Sequence, residues 1–319
     1  MNILITTYFR SKQLNILLKS IRPQILKGDC LTIVYQKLDF HTEEVLHGFD
    51  DLPLVKIPIS ERGAVHAVIA GMKKVESGGF LLLDDDVILS TNYLKRLRVL
   101  ISENPRTLIA GTNIPIRKEI RFDENIDQII ENSVSNNAHE IGTKRIFGHI
   151  VGRFQEPFEG PLVSIDHFQG CNVYIPVNDI YPSNLFKGDS VYYEMSWAFK
   201  LSKSIKMVVK PDLAVLHVQP PNQIRISERS ADTLKRVYTS SRNMSLVMMD
   251  LSNPLERVLS SIWFRYIGQK PVYGLLRSVV AVIRDKVPLK IATRRFLISR
   301  RGWKKAITYR KLSQPEISN

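Results

Sequence analysis

The sequence lacks several features that define whole classes of protein. Only two cysteines occur among 319 residues, so we expect neither a disulfide framework nor a cysteine metal motif. No apolar run reaches the roughly eighteen uncharged residues that a transmembrane helix requires. Residues 1–5 lack the charged region and the cleavage site of a signal peptide. We therefore expect a cytoplasmic protein.

The chain has no excess of basic over acidic residues outside its last third. Lys and Arg number 45 and Asp and Glu 31, a net charge of +14. Residues 1–220 contain 25 of each kind, so residues 221–319, with 20 basic and 6 acidic residues, carry the whole excess. This distribution predicts a neutral body with a basic docking surface, although a solvated helical face would have the same composition.

The apolar pattern alternates between short strands and helices. Strands are predicted near residues 2–8, 31–35, 54–59, 80–83, 108–111, 162–165, 172–175, 206–209 and 213–217. Helices are predicted around Leu14 to Ile21, over 64–76, 90–103 and 194–203, and near 126–130 within a loop-rich insertion at 117–162. Beyond residue 221 the pattern is helical at 230–250, 254–266, 272–285 and 294–311. This order predicts an α/β protein whose ligands bind at the carboxyl ends of parallel strands.

Three consecutive carboxylates, Asp84, Asp85 and Asp86, follow the continuous apolar run at 80–83. At the end of a buried strand such groups repel one another and are costly to desolvate. A hard divalent cation, with substrate phosphates completing its coordination shell, would offset that cost. An acidic turn or helix cap is the alternative explanation.

Four stretches together resemble the family-2-like glycosyltransferases of GT-A fold, over roughly residues 1–250. They are the opening run from Leu4 to Arg10, the segment from Arg62-Gly63 to Gly71, the acidic triplet, and the run from Tyr238 to Asn243. The resemblance implies a Rossmann-like, mostly parallel mixed sheet with a C-terminal helical extension. It also implies a catalytic domain over 1–220, with a nucleotide-binding half (1–115) and an acceptor half (116–220), and a basic helical region over 221–319.

The resemblance assigns binding roles to residues at the strand ends. Mn²⁺ or Mg²⁺ would be held by Asp84 and Asp86, with His217 as a further ligand. The nucleotide-sugar, expected to be UDP-linked, would contact the following residues: Thr6, Tyr8, Arg10, Asp39, Arg62, Asp84 and Asp85. One departure is Ile69, which stands where the family usually has Asn.

The catalytic base is open to two alignments. The family pair of acidic residues matches either Glu194, which a helix follows, or Asp189. Either carboxylate could instead be an ordinary residue at a helix N-terminus. The run from His167 to Asn172 resembles an acceptor-side loop, and Trp197 is either a sugar platform or a core residue.

These features imply transfer of a sugar from a nucleotide-diphosphate sugar to a glycan or lipid-linked acceptor, with inversion, in surface polysaccharide or glycoconjugate synthesis. Residues 254–311 combine apolar helical faces with Lys and Arg, so the expected further partner is the anionic inner face of a membrane, bound peripherally. No specific nucleic-acid motif is present. One alternative is a nucleotidyltransferase on a related fold, which would need a glycine-rich loop after the first strand. Residues 6–11 contain no glycine and therefore disfavour it. The other alternative is a non-enzymatic basic adaptor that binds membrane or nucleic acid.

Overall fold

The computed structural model describes residues 1–75, 78–116, 125–144, 150–186, 192–218, 234–251, 253–268 and 272–313. Its strands are β1 (Asn2–Thr6), β2 (Cys30–Gln36), β3 (Leu54–Ile59), β4 (Phe80–Asp84), β5 (Val87–Ile88), β6 (Thr107–Ile116), β7 (Thr143–Lys144), β8 (Ile150–Val151), β9 (Val163–Ser164), β10 (Asn172–Ile175) and β11 (Lys206–Val218).

The helices follow the strands in the first half of the chain and dominate the last third. They are α1 (Ser11–Ile21), α2 (Phe40–His47), α3 (Ala64–Met72), α4 (Tyr93–Glu103), α5 (Ile126–Ser133), α6 (Tyr193–Leu201), α7 (Leu234–Asp250), α8 (Pro254–Tyr266), α9 (Leu275–Ile283) and α10 (Leu289–Ser313). The α/β class is therefore as predicted.

One mixed sheet organises the first part of the chain, with strand order β3-β2-β1-β4-β10-β6-β11-β5 and β9 paired to β11. Strands β3, β2, β1 and β4 are parallel to one another, as are β6 and β11. Strand β10 runs antiparallel to both β4 and β6 and joins the two parallel groups. Because parallel strands end at the same edge, the sheet gathers the residues that follow β1 and β4.

The sheet is covered by helices whose apolar faces are buried. In α1 the inward residues are Leu14, Leu17, Leu18 and Ile21, all fully buried, at the spacing of one helical face. Residues 80–83 of β4 are apolar and buried, as expected for a central strand, and Asp84 at its end is half-buried. The core therefore lies between the sheet and its helices, and the polar strand ends remain at the edge.

Several elements differ from the sequence prediction: β5, β7 and β8 were not predicted, and the strand predicted at 108–111 extends to Ile116. Two further differences have a clear physical reason. Helix α2 was not expected, because its sequence buries only Thr42 and Leu46 and shows no clear apolar period. The two strands predicted at 206–209 and 213–217 are one strand, β11, whose register against β6 shifts between Val209 and Ala214. Pro211 lies within the shift, where a missing N–H is tolerated.

The described residues form two compact units. The sheet unit contains the described residues up to 182 and residues 200–218, and the helical unit contains 183–199 and the described residues from 234 onward. In the helical unit, α7 and α10 pack so closely that a Cβ at Gly302 would lie 2.4 Å from the Tyr238 carbonyl oxygen. Among the described helices, none combines the length and the apolar character needed to cross a membrane.

Candidate active site

The edge of the sheet brings together residues from three strands. Thr6 at the end of β1 is the parallel partner of Asp84 at the end of β4. The chain then turns through Asp85 and Asp86 into β5, which pairs antiparallel with β11 so that His217 lies opposite Val87. The Val218 N–H also donates to the Asp86 carbonyl oxygen at 2.8 Å. This pairing places the imidazole of His217 near the carboxylates of Asp84 and Asp86.

We call Asp84, Asp85 and Asp86 the acidic cluster. The His217 Nε2 atom lies 3.1 Å from Asp86 Oδ1. Asp84, Asp86 and His217 each offer one ligand atom, and these atoms all lie within 4.8 Å of one another. Asp85 is outside this set of three and accepts a 2.7 Å hydrogen bond from the Thr7 hydroxyl. The residues predicted as metal ligands are therefore close together.

Arg10 is the counter-cation of the acidic cluster. Its Nη1 donates to Asp85 Oδ1 at 2.6 Å and also to Asp86 Oδ2. The side chains of Arg10, Asp85 and Asp86 are nearly buried, so these are ion pairs within the protein and are only weakly screened by solvent. Arg10 was predicted to line a phosphate pocket. In the structure it links the loop that follows β1 to the carboxylates of Asp85 and Asp86.

The clustered charges shift the pKa values of the residues that form them. Burial raises the pKa of the Asp85 carboxyl to about 7, although Arg10 opposes that shift. Burial lowers the pKa of His217, but its hydrogen bond to Asp86 and the nearby carboxylates outweigh this and raise it overall. Burial likewise lowers the pKa of Arg10, and the three carboxylates raise it above its usual value. The site therefore holds strongly coupled charges of both signs.

The chemistry of this donor set fits a divalent cation. The two carboxylate oxygens suit Mn²⁺ or Mg²⁺, whereas the imidazole nitrogen suits a transition metal, which of these two is Mn²⁺. Asp84, Asp86 and His217 are thus the residues that could hold such an ion.

Two exposed aromatic rings lie beside the acidic cluster. Tyr8 and Phe9 follow β1, are 40% and 53% exposed, and pack edge to face with centroids 5.0 Å apart. Phe9 adopts a positive φ of 51°, which is uncommon for a bulky residue, and its N–H donates to Asp39 Oδ2 at 2.9 Å. Residues held in sparsely populated backbone conformations cluster at functional sites.

Asp39 is buried and caps a helix. Its carboxylate accepts hydrogen bonds from the N–H and the hydroxyl of Thr42, so it forms the N-cap of α2. Together with its bond to Phe9, this fixes the loop after β1 against the start of α2. The predicted contact between Asp39 and a nucleotide base stays a prediction.

The remaining predicted binding residues lie at the same edge of the sheet. Thr6 ends β1 half-buried, next to Asp84. Arg62 is exposed in the loop between β3 and α3, and it is followed by Gly63, whose φ of 121° only glycine adopts readily. The structure therefore leaves the Arg62 guanidinium accessible to solvent.

Of the two candidate catalytic bases, only Glu194 lies within the described residues. Glu194 lies half-buried in the first turn of α6, in the helical unit. Asp189 lies outside the described residues. Trp197, on the same helix as Glu194, is fully buried, so it is a core residue and not a platform for sugar stacking.

Sequence reasoning missed part of the polar network beside the acidic cluster. Asn113 on β6 donates to Gln169 Oε1 at 2.6 Å and contacts Cys171 Sγ at 3.3 Å. The Cys171 carbonyl oxygen in turn accepts a bond of 3.2 Å from the Asp84 N–H. The only signal for Asn113 was a polar residue within an otherwise apolar strand. Thr7, which donates to Asp85, lies in the opening run from Leu4 to Arg10, but its sequence position alone predicts no role for it.

A cavity of about 460 Å³ opens in the loop-rich insertion of the sheet unit. Polar side chains dominate its lining: Ser133, Ser135, Asn137, His139, Arg153, Gln155 and Glu156. Its wall is tied to the sheet because the Asn113 N–H donates to the Phe154 carbonyl oxygen at 2.8 Å. Amide, hydroxyl and guanidinium groups in one cavity can hydrogen-bond a ligand rich in hydroxyl groups.

No protein-family model and no curated protein matches the chain. Among solved structures, residues 1–349 of S. aureus TarS in complex with UDP match with a TM-score of 0.57 and 13% identity, covering 99% of this chain and 92% of that one. The same TarS fragment with UDP-GlcNAc gives a TM-score of 0.56 at 11% identity, covering 97% and 91%. GalNAc-T7 with UDP, GalNAc and Mn²⁺ gives 0.60 at 11% identity, covering 99% and 58%. These similarities confirm the GT-A fold.

Proposed function

We propose that this protein is a metal-dependent glycosyltransferase. It would move a sugar from a UDP-linked donor to a glycan or lipid-linked acceptor in surface polysaccharide or glycoconjugate synthesis. The observation that carries the proposal is the convergence of Asp84, Asp86 and His217 at the carboxyl edge of the sheet. In open α/β sheets this edge is where ligands bind.

The structural neighbours support the same reaction class. TarS and GalNAc-T7 are GT-A-type glycosyltransferases, and their structures contain UDP-GlcNAc in one case and UDP, GalNAc and Mn²⁺ in the other. Because identity is only 11–13%, the neighbours establish the fold, and the acidic cluster supplies the chemical argument.

Asp84, Asp86 and His217 would hold Mn²⁺ or Mg²⁺. A divalent cation bound there supplies positive charge that neutralises the diphosphate leaving group. Arg10 keeps Asp85 and Asp86 in place through its ion pairs, and Thr7 fixes Asp85 from the other side. The protein's own residues therefore hold the acidic cluster in position before any substrate arrives.

The nucleotide would bind along the ends of β1 and β3. Tyr8 and Phe9 offer exposed ring faces and edges for the base, and Arg62 offers an accessible cation for the phosphates. Thr6 and Asp39 flank this position, Asp39 by holding the Phe9 backbone. We assign the donor pocket to these residues together with Asp84 and Asp85.

A carboxylate, Glu194 or Asp189, would act as the catalytic base. It takes the proton from the acceptor hydroxyl while that oxygen attacks the anomeric carbon, and the bond to the nucleoside diphosphate breaks. A single displacement of this kind inverts the anomeric centre. The polar cavity near His139 and Arg153 would bind part of the acceptor.

The proposal is tested by nucleotide-dependent thermal stabilisation. The protein is melted with UDP, GDP, dTDP or CMP, each with and without Mn²⁺. A nucleotide at about 100 times its dissociation constant adds roughly 2.7 kcal/mol to the free energy of unfolding. We expect UDP with Mn²⁺ to raise the melting temperature, and UDP alone to raise it less.

A matched pair of variants localises the effect. D84N/D86N removes two proposed ligand charges, whereas D50N removes a carboxylate from the surface of the sheet unit. We expect the Mn²⁺-dependent shift to disappear in D84N/D86N and to persist in D50N. If no nucleotide shifts the wild-type melting temperature even with Mn²⁺, the proposed function is wrong.

A further inference from the structure

The outward face of α8 is apolar. The exposed apolar residues of this helix recur at intervals of three and four, which places them on one side. They are Leu255, Val258, Ile262 and Tyr266, each 49–63% exposed. Ser260 and Phe264, on the opposite side, are buried. The helix therefore packs through a narrow inner face and presents large apolar side chains to solvent.

Helix α9 repeats this arrangement. Its exposed apolar residues, 46–76% exposed, also share one side: Leu275, Leu276, Val279 and Ile283. Ser278 and Ala281 are buried on the other side. The two helices are joined closely, because the Arg277 N–H donates to the Ile267 carbonyl oxygen at 3.0 Å. We call the exposed apolar residues of α8 and α9 the apolar stripe.

The adjoining helix α10 is basic and carries no Asp or Glu. Its exposed cationic side chains are Lys290, Arg294, Arg300, Arg301, Lys304 and Lys305. It belongs to the same packed unit, since the Tyr273 N–H, just before α9, donates to Ser299 Oγ at 3.1 Å. The Arg265 guanidinium of α8 also lies 5.7 Å from the centroid of the Trp303 ring. The apolar stripe and the basic helix therefore belong to helices that pack against one another in the same unit.

We propose that the helical unit docks on an anionic lipid bilayer, with the apolar stripe in the headgroup boundary and the Lys and Arg side chains of α10 on the lipid phosphates. Large exposed apolar faces beside cationic residues are the pattern of interfacial membrane helices. The charges favour this occupant over a second copy of the chain, because two basic surfaces repel each other. The phosphates of a nucleic acid would pair with the Lys and Arg side chains of α10, but they would leave the apolar stripe exposed to solvent.

Membrane docking also indicates the class of acceptor that the enzyme uses. This inference rests on the proposed function. An enzyme held at a bilayer meets acceptors that are themselves anchored in lipid. The membrane surface then concentrates enzyme and acceptor in the same layer, which raises their encounter rate without any new contact between them. We therefore assign a lipid-linked acceptor in preference to a free glycan.

The test is co-sedimentation of the full chain with vesicles. Vesicles of pure phosphatidylcholine are compared with vesicles containing 30% phosphatidylglycerol, a fraction of about one third chosen to give a strongly anionic surface. The variant I262D/I283D places two charges in the apolar stripe. The matched control L26D/V99D places two charges at apolar residues of the sheet unit with similar exposure, 56% and 49%.

We expect the wild type and L26D/V99D to bind the anionic vesicles and I262D/I283D to bind at least about tenfold more weakly. Each of K304A and K305A should weaken binding about fivefold, and added salt should weaken it further. Unchanged binding by I262D/I283D overturns the proposal, as does equal binding to neutral vesicles. So does a wild type that forms stripe-dependent dimers and ignores vesicles. Stabilisation by UDP and Mn²⁺ should be the same in all these variants, so failure here is separate from failure of the proposed function.

Discussion

The Thr7 hydroxyl donates a 2.7 Å hydrogen bond to Asp85 Oδ2, joining the chain just after β1 to the turn just after β4. Arg10, three residues further along, holds the other oxygen of the same carboxylate. One short loop therefore holds both oxygens of Asp85, and through Arg10 it also pairs with Asp86. The ligand atoms of Asp84, Asp86 and His217 lie within 4.8 Å of one another. Within the acidic cluster, one carboxylate has a positioning role and the other two can bind a cation.

The first prediction concerns Arg10. R10M leaves the nearly buried Asp85 and Asp86 without their shared cation, so the free energy of unfolding should fall by about 3–5 kcal/mol. Urea denaturation in EDTA measures this loss. The control R22M breaks the half-exposed pair with Asp51 and should cost less than about 1 kcal/mol. R10M/D85N should recover part of the stability. A loss in R10M as small as that in R22M would contradict the assigned role.

The sequence predicted the fold well because the sheet is built from apolar strands bounded by polar turns. Strands β1 to β4 and helix α1 follow directly from that pattern. Helix α2 could not be predicted in this way, because it buries only Thr42 and Leu46 and its start is fixed by the N-cap Asp39. The metal-ligand candidates were predicted from the strand ends and the resemblance. The pairing of Arg10 with Asp85 and Asp86 could not be, because it depends on how side chains of neighbouring strands meet.

The second prediction concerns stability against pH and His167. Burial lowers the pKa of this imidazole to about 4, whereas an unfolded chain has a histidine pKa near 6.5. Between these values the unfolded state binds the proton and the folded state does not, so stability falls as the pH falls from about 6.5 to 4. The full effect is at most about 3 kcal/mol.

The measurement compares urea denaturation of wild type and H167N at pH 7.5, 5.5 and 4.5. Asp85 acts in the opposite sense, because its raised pKa of about 7 makes the folded state take up a proton as the pH falls. Only the difference between the two proteins therefore isolates His167. H167N should lose less stability on acidification than the wild type, and H41Q, at an exposed histidine, should behave as the wild type does. Parallel pH curves for wild type and H167N would show that the imidazole is not held neutral.

The third prediction concerns the contact between α7 and α10. Replacing a mid-helix glycine by alanine ordinarily favours a helix by about 1 kcal/mol. At Gly302 the added Cβ would lie 2.4 Å from the Tyr238 carbonyl oxygen and 3.0 Å from the Arg242 nitrogen, both backbone atoms that cannot rotate away. The steric cost, about 1–3 kcal/mol, should exceed the gain, so G302A lowers the melting temperature. T293A, at an exposed position of α10, should be neutral or slightly stabilising. A more stable G302A would mean that the helices pack less closely than described.

The last prediction concerns His217 as a ligand. Its Nε2 atom lies beside Asp86, and removing the imidazole leaves two carboxylates in the set that could hold a cation. H217A should therefore weaken Mn²⁺ binding by at least about tenfold, measured by calorimetric titration of Mn²⁺ in the presence of UDP. H47A removes an exposed histidine at the end of α2 and should bind Mn²⁺ as the wild type does. Because H217A also removes the pair with Asp86, both variants are titrated at a temperature at which circular dichroism shows them folded, which separates loss of a ligand from loss of the fold. Equal Mn²⁺ affinity in H217A and H47A would remove His217 from the ligand set and leave Asp84 and Asp86 as the remaining candidates.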